Sequence, residues 1–293
     1  MEVAVVIVTV GETPLLERGV RAIVSGTLRP NELIVVDQGQ SGLGERLDEW
    51  LAAVDIRPIH VPVPRMGVSR ARNLGAEAAS AETLAFTDDD CVPATGWLEA
   101  LTGASARTGA EAATGRVLAL EDPRPGLVGV SLRTGTRPRV FHSSNDCMPW
   151  DVGTGGNLLV EQARFWALGG FAEEFGPGAR FRAAEDVEFL ERMLESGAAI
   201  AYTPAATVYH GMKPRAGRMK RQFPYGLGVG ALARGAPSIR RRFLTRGYLA
   251  LQARRLASGL RDVSPRRALE PLVTIVGFVA GFAAGGRTRA RSG

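Results

Sequence analysis

The stretch Thr83-Leu84-Ala85-Phe86-Thr87-Asp88-Asp89-Asp90 decides the fold, because an apolar run that ends in three carboxylates is typical of a buried strand reaching the edge of a sheet. Side chains alternate along a strand, so Asp88 and Asp90 are predicted to point to one side and Asp89 to the other. Close carboxylates raise one another's pKa unless a cation lies among them. Mg²⁺ and Mn²⁺ prefer such oxygen ligands, often together with phosphate. The stretch therefore predicts a metal site, and a solvated acidic turn is the alternative.

The first 90 residues alternate between strand and helix patterns. Three further apolar runs lack polar alternation, and stretches with helical spacing separate them. The runs are Val3–Thr9, Glu32–Asp37 and Ile56–Val61, and the helical stretches are Glu12–Ser25, Gly42–Ala53 and Gly67–Ala79. This order predicts a mostly parallel sheet with helices on both faces. Ligands bind at the carboxyl ends of such strands, so Thr9 and Asp37 are expected to converge with the Asp triplet, although alone either would be an ordinary strand-end cap.

The composition is that of a globular protein. The chain has 293 residues, of which 45% are hydrophobic, and its mean hydropathy is 0.00, which suits one large or two small domains. Cys91 and Cys147 are the only cysteines and there are three histidines, so neither a disulfide framework nor a zinc cluster is supported. Met1–Thr9 has no basic segment or cleavage signal and reads as a buried first strand, which predicts a cytoplasmic protein.

The net charge of +6 conceals two halves of opposite sign. Residues 1–210 contain 18 basic and 28 acidic side chains, whereas residues 211–293 contain 18 basic and 2 acidic ones. This partition predicts a catalytic domain at 1–210 and a basic helical extension at 211–293 that meets something anionic. Nucleic acid is disfavoured because the extension lacks repeated aromatic platforms and zinc-finger spacing. An anionic membrane surface fits the extension better.

Missing motifs narrow the class of protein. The first strand is followed by Val10-Gly11-Glu12-Thr13 rather than G-x-G-x-x-G, which disfavours a dinucleotide-binding dehydrogenase. The chain has no G-x-x-x-x-G-K-[ST] motif, which disfavours a P-loop NTPase. Haloacid-dehalogenase-type phosphatases carry their Asp pair after the first strand, whereas here the triplet follows the fourth. A nucleotide diphosphate held through a metal remains the favoured ligand.

The motifs together resemble those of the inverting family-2 glycosyltransferases of the GT-A fold. They occur in the order of that family and cover roughly residues 3–210. The segments that carry the resemblance are Val6–Thr9, Ile34–Asp37, Gly67–Gly75, Phe86–Pro93, Gly155–Val160, Gly169–Phe175 and Glu185-Asp186. The resemblance implies an α/β fold of the GT-A type, a Rossmann-like, mostly parallel sheet flanked by helices. It also implies a metal-dependent, hexosyltransferase-like enzyme that moves a sugar from a nucleoside-diphosphate sugar to an acceptor hydroxyl, as in cell-surface polysaccharide or glycolipid synthesis.

The resemblance also implies roles for individual residues. Asp186 matches the catalytic base, and Asp88, Asp90 and His210 match the ligands of Mn²⁺ or Mg²⁺. Donor binding is expected of the residues Thr9, Asp37, Arg72, Asp88, Asp89, Gly155, Gly156 and Glu185. Each of these residues also has a purely structural interpretation. Glu185-Asp186 would be an acidic pair at the start of a helix, Gly155 and Gly156 a turn before a strand, and His210 a structural histidine. Lys213 and the arginines after it fit either the diphosphate or a solvated or lipid-facing patch.

The extension ends in an apolar segment. Pro271–Gly286 has no charge, but its 16 residues fall short of the roughly 20 that span a bilayer. Gly277, Gly281 and Gly285 recur every fourth residue, which favours close helix packing. The segment is predicted either to lie in the inner face of the cell membrane as an interfacial helix or to pack on its own domain or on a second copy of the chain.

Two other functions remain open at this level. A nucleotidylyltransferase would share the sheet and the metal, but it should carry a Gly-rich basic loop where Gly11-Glu12-Thr13-Pro14 stands. A non-catalytic scaffold of the same fold should have lost the metal or base carboxylates, which are all present. The acceptor is left open among a glycan, a lipid-linked glycan and a small molecule.

Overall fold

Nine strands form one mixed sheet in the computed structural model, which describes residues 1–39, 42–52, 54, 56–122, 124–145 and 147–286. The strands are β1 Val3–Thr9, β2 Glu32–Asp37, β3 Arg57–Pro62, β4 Thr83–Asp88, β5 Cys91–Pro93, β6 Ala112–Ala119, β7 Leu127–Val128, β8 Arg139–Phe141, β9 Asn157–Glu161, β10 Ile200–His210 and β11 Lys213–Pro214. The sheet order is β3-β2-β1-β4-β9-β6-β10-β5, and β8 also pairs with β10. Strands β7 and β11 form a separate two-stranded ribbon.

The helices cover both faces of the sheet and form the C-terminal extension. They are α1 Pro14–Val24, α2 Leu43–Leu51, α3 Val68–Ala78, α4 Trp97–Thr108, α5 Pro149–Val152, α6 Gln162–Ala167, α7 Glu185–Glu195, α8 Arg218–Gly235, α9 Ser238–Arg261 and α10 Pro265–Ala284, with a 3₁₀ turn at Arg215–Gly217 before α8. The predicted strands Val3–Thr9 and Glu32–Asp37 are confirmed with the same bounds. The predicted helix Gly42–Ala53 is shorter, at Leu43–Leu51, and Ala53 lies outside the described residues.

The first helix begins two residues later than its spacing predicted. Thr13 Oγ1 accepts a hydrogen bond of 3.1 Å from the Leu16 N–H, which makes Thr13 the N-cap. Pro14 follows at the first helical position, where a missing N–H costs nothing. Glu12 therefore lies outside the helix, and β1 leads through a short turn into α1.

Strand register brings the predicted site residues to one edge of the sheet. Strands β1 to β4 are parallel, with Thr9 opposite Asp37 and Val8 opposite Asp88. Strand β10 runs parallel to β6, and its last residue His210 pairs with Cys91 of the antiparallel β5. The mostly parallel sheet predicted from the alternating pattern is therefore confirmed, and the carboxyl ends of β1, β2, β4 and β10 share an edge.

Two apolar cores lie on opposite faces of this sheet. Helices α1, α2 and α4 cover one face, and α3, α6 and α7 cover the other. Gly75 shows how closely α3 approaches the sheet, because a Cβ there would lie 2.4 Å from Val6 Cγ1. Only a residue without a side chain allows that contact.

The C-terminal helices share a third core with the rest of the chain. Phe175, Phe181 and Val187 pack with Tyr248 of α9 and Phe278 of α10. The division into residues 1–210 and 211–293 stays a prediction, and the two stretches have an apolar cluster in common. An ion pair adds to it: Arg240 of α9 donates to Glu191 of α7, with 2.6 Å between Nη2 and Oε2, and both side chains are buried.

Helices α8 and α10 touch through their backbones. A Cβ on Gly230 would lie 2.1 Å from the carbonyl oxygen of Phe278, and a Cβ on Gly281 would lie 1.9 Å from that of Leu227. The predicted glycine face of the apolar segment thus packs on the chain's own α8. Among the described residues α10 alone is long and apolar enough to cross a membrane, by length and composition, with 33% of its apolar window buried inside the protein. It exceeds the 16-residue uncharged run because it begins at Pro265.

Candidate active site

A cleft of about 790 Å³ opens along the carboxyl edge of the sheet. The Asp triplet and His210 line one part of it, and Glu185 and Asp186 at the start of α7 line another. Helices α8 and α9 close the cleft with side chains that include Tyr225 and Tyr248. The extension is therefore a wall of the cleft rather than an appendage to it.

The three carboxylates separate as the sequence predicted, although only Asp88 belongs to β4 and Asp89 and Asp90 lie in the turn that follows it. Asp88 and Asp90 lie with His210 in one cluster, whereas Asp89 turns to the Thr9 side, where its Oδ2 lies 2.7 Å from Thr9 Oγ1. Burial raises the pKa of Asp89 to about 6, although the Thr9 hydroxyl lowers it, and the charges of Asp90 and Asp88 add to the rise.

The cluster of Asp88, Asp90 and His210 suits a hard divalent cation. One ligand atom from each of them and from Cys91 lie within 4.8 Å of one another. Burial, followed by the charges of Asp88 and Asp90, raises the pKa of the Cys91 thiol well above its ordinary value, so the thiol keeps its proton. Two carboxylates and one imidazole remain as possible donors to a divalent cation.

Asp90 also contacts a cation from the chain itself. Lys213 Nζ donates a short hydrogen bond to Asp90 Oδ2, and His210 Nε2 lies 3.4 Å from Asp90 Oδ1. His210 is in turn fixed by a 2.8 Å contact between its Nδ1 and the Gly211 carbonyl oxygen. The sequence assigned Lys213 only to a group that faces phosphate or solvent, and it did not anticipate this contact.

Arg72 joins the metal cluster to the start of α7. Its Nη2 donates to Asp88 Oδ1 at 2.6 Å and its Nη1 donates to Glu185 Oε1 at 3.1 Å. Burial lowers the pKa of Arg72, but the charges of Asp88, Glu185 and Asp186 together raise it by more than burial lowers it, so the net shift is upward. Burial, and then the charge of Asp186, raise the pKa of Glu185 above its ordinary value although Arg72 lowers it.

Asp186 is held by main-chain donors. Its Oδ2 accepts from the Gly155 N–H at 3.0 Å, and its Oδ1 accepts from the Val187 N–H at 2.8 Å. Asp186 is the second residue of α7, and the N-cap residue Ala184 has a left-handed φ of 68°. A carboxylate oxygen has two lone pairs, so each oxygen can still accept another proton donor.

Gly155 and Gly156 make room for these charged groups. A Cβ on Gly156 would lie 2.3 Å from Asp88 Oδ2, and a Cβ on Gly155 would lie 2.8 Å from Arg72 Nη1. The sequence analysis placed both glycines among the expected donor-binding residues. The contacts present are with the chain's own Asp88 and Arg72, so the glycines are needed before any ligand binds.

Asp37 is buried at the carboxyl end of β2. Asp37 is 1% exposed, and its Oδ1 accepts from the Gly39 N–H at 2.7 Å. His60 Nε2 lies 3.5 Å from Asp37 Oδ2. Gln38 was missed by the sequence reading, yet its Oε1 accepts from the N–H groups of Met66 and Gly67 and fixes the entry to α3. A polar side chain directly after a strand-end Asp is the signal that could have found it.

Residues 4–149 match the family model described as glycosyl transferase family 2. The pre-mycofactocin glycosyltransferase of Mycobacterium tuberculosis is 32% identical over 199 residues, which are 66% of this chain and 40% of that protein. Glycosyltransferase AglE of Haloferax volcanii is 27% identical over 229 residues, 77% of this chain and 72% of that protein. This chain thus spans less than half the length of the mycobacterial relative.

A solved structure shares the fold. The mannosyltransferase PcManGT from Pyrobaculum calidifontis, in complex with GDP-Man and Mn²⁺, superposes with a TM-score of 0.66 and 18% identity. The superposition covers 96% of this chain and 86% of that one, so it includes most of the three C-terminal helices.

Proposed function

Residues 4–149 of this chain belong to glycosyltransferase family 2 within a GT-A fold, and on that premise we propose that the protein is a metal-dependent inverting glycosyltransferase. It moves a sugar from a nucleoside-diphosphate sugar to an acceptor hydroxyl. The observation that carries the proposal is the cleft in which the Asp88, Asp90 and His210 cluster faces Asp186. The Asp88, Asp90 and His210 cluster binds a cation, and the Asp186 carboxylate remains free to take a proton.

The donor is placed across the carboxyl edge of the sheet. Asp37 and Thr9 are assigned to the nucleoside end, where β1 and β2 terminate side by side. Asp88, Asp90 and His210 would hold Mn²⁺ or Mg²⁺, which when bound neutralises negative charge on the diphosphate as the sugar leaves. Arg72 adds a fixed positive charge and orients Asp88 and Glu185. The neighbour bound to GDP-Man and Mn²⁺ supports this class of donor and metal.

Asp186 is assigned the role of base. It accepts the proton of the acceptor hydroxyl while the hydroxyl oxygen forms a bond to the anomeric carbon and the bond from that carbon to the diphosphate breaks. The N–H groups of Gly155 and Val187 fix both carboxylate oxygens, so the base is oriented before the acceptor arrives. Attack from the face opposite the diphosphate inverts the anomeric centre.

The test combines binding and turnover. Nucleoside diphosphates with uracil, guanine or thymine bases are titrated with and without Mn²⁺, and we expect one of them to raise the melting temperature more with Mn²⁺ present. Asp90→Ala should abolish that Mn²⁺ effect, because phosphate oxygens would then face Asp88 and Asp89 unscreened. Transfer of the sugar from the matching donor to an acceptor supports the proposal. Exchange of diphosphate would identify a nucleotidylyltransferase, and inertness with every donor and acceptor would indicate a scaffold.

We also propose that α9 and α10 rest on an anionic membrane surface, in keeping with a lipid-linked acceptor and a place at the inner face of the cell membrane. The face of α10 opposite its glycines exposes Leu269, Leu272, Val276 and Val279, each between 44% and 61% exposed. Exposed arginines occur in the same two helices, at Arg254 and Arg261 of α9 and at Arg266 and Arg267 in the first turn of α10. Apolar side chains flanked by arginines fit an interfacial helix better than a spanning one. A second copy of the chain is the competing occupant.

A further inference from the structure

Lys213 forms an ion pair with Asp90, a carboxylate that is a proposed ligand of the metal. Its ammonium bonds Asp90 Oδ2, while Asp90 Oδ1 faces His210 across 3.4 Å. Asp90 therefore lies between the positive ammonium of Lys213 and the imidazole of His210, which could bind a metal. Among the described residues, Lys213 is the only lysine or arginine that forms an ion pair with Asp90.

Main-chain geometry delivers Lys213 to this position. The Gly211 N–H donates to the Asp90 carbonyl oxygen at 2.8 Å, which fixes the turn after β10. Lys213 then pairs with Val128 in the β7–β11 ribbon, and the Arg215 N–H donates to the Gly126 carbonyl oxygen at 2.7 Å. The backbone of Lys213 is thus anchored on both sides, whereas its side chain is 40% exposed and ends in a flexible point charge.

A divalent cation and this ammonium cannot both keep Asp90 at low cost. A cation bound by Asp90 and His210 would place two positive charges within a few ångströms of Nζ, and repulsion at that range is substantial in a partly buried site. The diphosphate of a donor would offer the ammonium another anion. On the basis of the proposed function, we propose that Lys213 is an exchangeable counter-ion: it neutralises Asp90 until metal and nucleoside diphosphate bind, and it then transfers to phosphate oxygens.

The proposal has a thermodynamic consequence. Metal alone must displace Lys213 from Asp90 without compensation, whereas metal with diphosphate gives Lys213 a new partner. The two ligands should therefore bind with positive cooperativity, and the coupling must be the same whichever ligand is added first. Burial lowers the pKa of Lys213, but its hydrogen bond with Asp90 and the charges of the Asp triplet raise it overall, so the side chain stays charged for this exchange.

The test is a binding cycle on the full chain. Calorimetry measures Mn²⁺ affinity with no nucleotide and with saturating nucleoside diphosphate for the wild type, for Lys213→Gln and for Lys220→Gln. Lys220 is the matched control because it is the chain's other lysine, is exposed, and lies in the same segment. Lys213→Gln should bind Mn²⁺ without nucleotide about three- to tenfold more tightly than the wild type, and the strengthening by nucleotide should shrink by a similar factor. Lys220→Gln should keep the wild-type values.

Each contrary result is informative. Unchanged or weaker Mn²⁺ binding without nucleotide in Lys213→Gln overturns the exchange, as does absence of Mn²⁺ binding in every variant and state, which would mean that Lys213 replaces the metal. Lys213→Arg keeps the charge and should retain most of the wild-type coupling between Mn²⁺ and nucleotide. If the glutamine variant melts at a clearly lower temperature than the wild type, the coupling measured in the arginine variant tests the proposal instead. The nucleotide-free titration involves no sugar, so it can succeed where transfer fails and fail where transfer succeeds.

Discussion

Single residues at the start of α7 set the proposed chemistry. Asp186 is oriented by two main-chain N–H groups, and Glu185 beside it is engaged by Arg72. The two adjacent carboxylates therefore have different partners. This difference supports Asp186 as the group that meets the acceptor and Glu185 as a group that positions Arg72.

Asp186→Asn should lower transfer by at least about a hundredfold while nucleoside-diphosphate affinity stays within a few fold, because the amide keeps the size of the side chain and loses its basicity. Single-turnover transfer and calorimetry measure the two quantities. Asp151→Asn is the control, since Asp151 lines the same cleft. Near-normal turnover in the Asp186 variant would show that another group is the base.

Asp89 predicts a pH dependence of stability in chelator. Its pKa in the folded protein is raised to about 6 from an ordinary 3.8, so the folded state holds the proton more tightly than the unfolded state. Stability is therefore lost as pH rises from about 4 to about 6. Asp89→Asn removes this loss and should gain on the order of 1 to 3 kcal/mol over the wild type between those pH values. Urea unfolding at several pH values measures the difference, and a difference that stays constant with pH would refute the assignment.

Much of the candidate site could be predicted from residue order. The sequence predicted that Asp88 and Asp90 lie together and that Asp89 points away, and this arrangement is present even though the strand ends at Asp88 and a turn holds the other two. The Lys213 contact could not be predicted, because it depends on the β7–β11 ribbon, whose strands lie far apart in sequence and are two residues long. The sequence also does not reveal that Gly156 lies against Asp88.

At the scale of elements, the sheet was predictable and the extension was only partly so. Apolar runs of β-branched residues predicted β1 and β2 to the residue, because such strands are buried on both faces. The recurrence of Gly277, Gly281 and Gly285 predicted a close helix contact. The partner could not be identified, since α8 carries its own glycines within a polar and basic sequence.

The α8–α10 contact predicts a steric effect. Gly281→Val should lower the free energy of unfolding by about 1 to 3 kcal/mol or more, because the new side chain would meet the Leu227 carbonyl oxygen. Gly286→Val is the control, since a Cβ there meets nothing within 4 Å. Denaturant unfolding of both variants provides the comparison. Equal stability of the two would mean that the helices are not in backbone contact.

Across the whole molecule, residues 1–210 are acidic on balance, whereas residues 211–293 are basic and include the exposed apolar face of α10. The 293-residue chain should float with anionic liposomes at low salt, and part of that binding should survive high salt because apolar insertion is not screened. Replacing Leu272, Val276 and Val279 by Ser should remove the salt-resistant part, whereas Leu28→Ser, an exposed apolar residue elsewhere, should not.

Two outcomes would redirect the interpretation of this face. If the wild-type protein does not bind anionic liposomes at any salt concentration, the apolar face of α10 does not contact membranes. If the same triple variant instead changes the mass measured by light scattering from two chains to one, the face joins two copies of the protein.

The buried pair of Arg240 and Glu191 has a consequence for genetics. Glu191 lies on the helix that begins with Glu185 and Asp186, so α9 is fastened to the element that carries the proposed base. Loss of either partner leaves a buried charge unpaired, which commonly costs about 3 to 5 kcal/mol. In a mutational screen for lost activity, alleles that map to the C-terminal helices would therefore mimic active-site alleles, and suppressors restoring the pair would be found across the two segments.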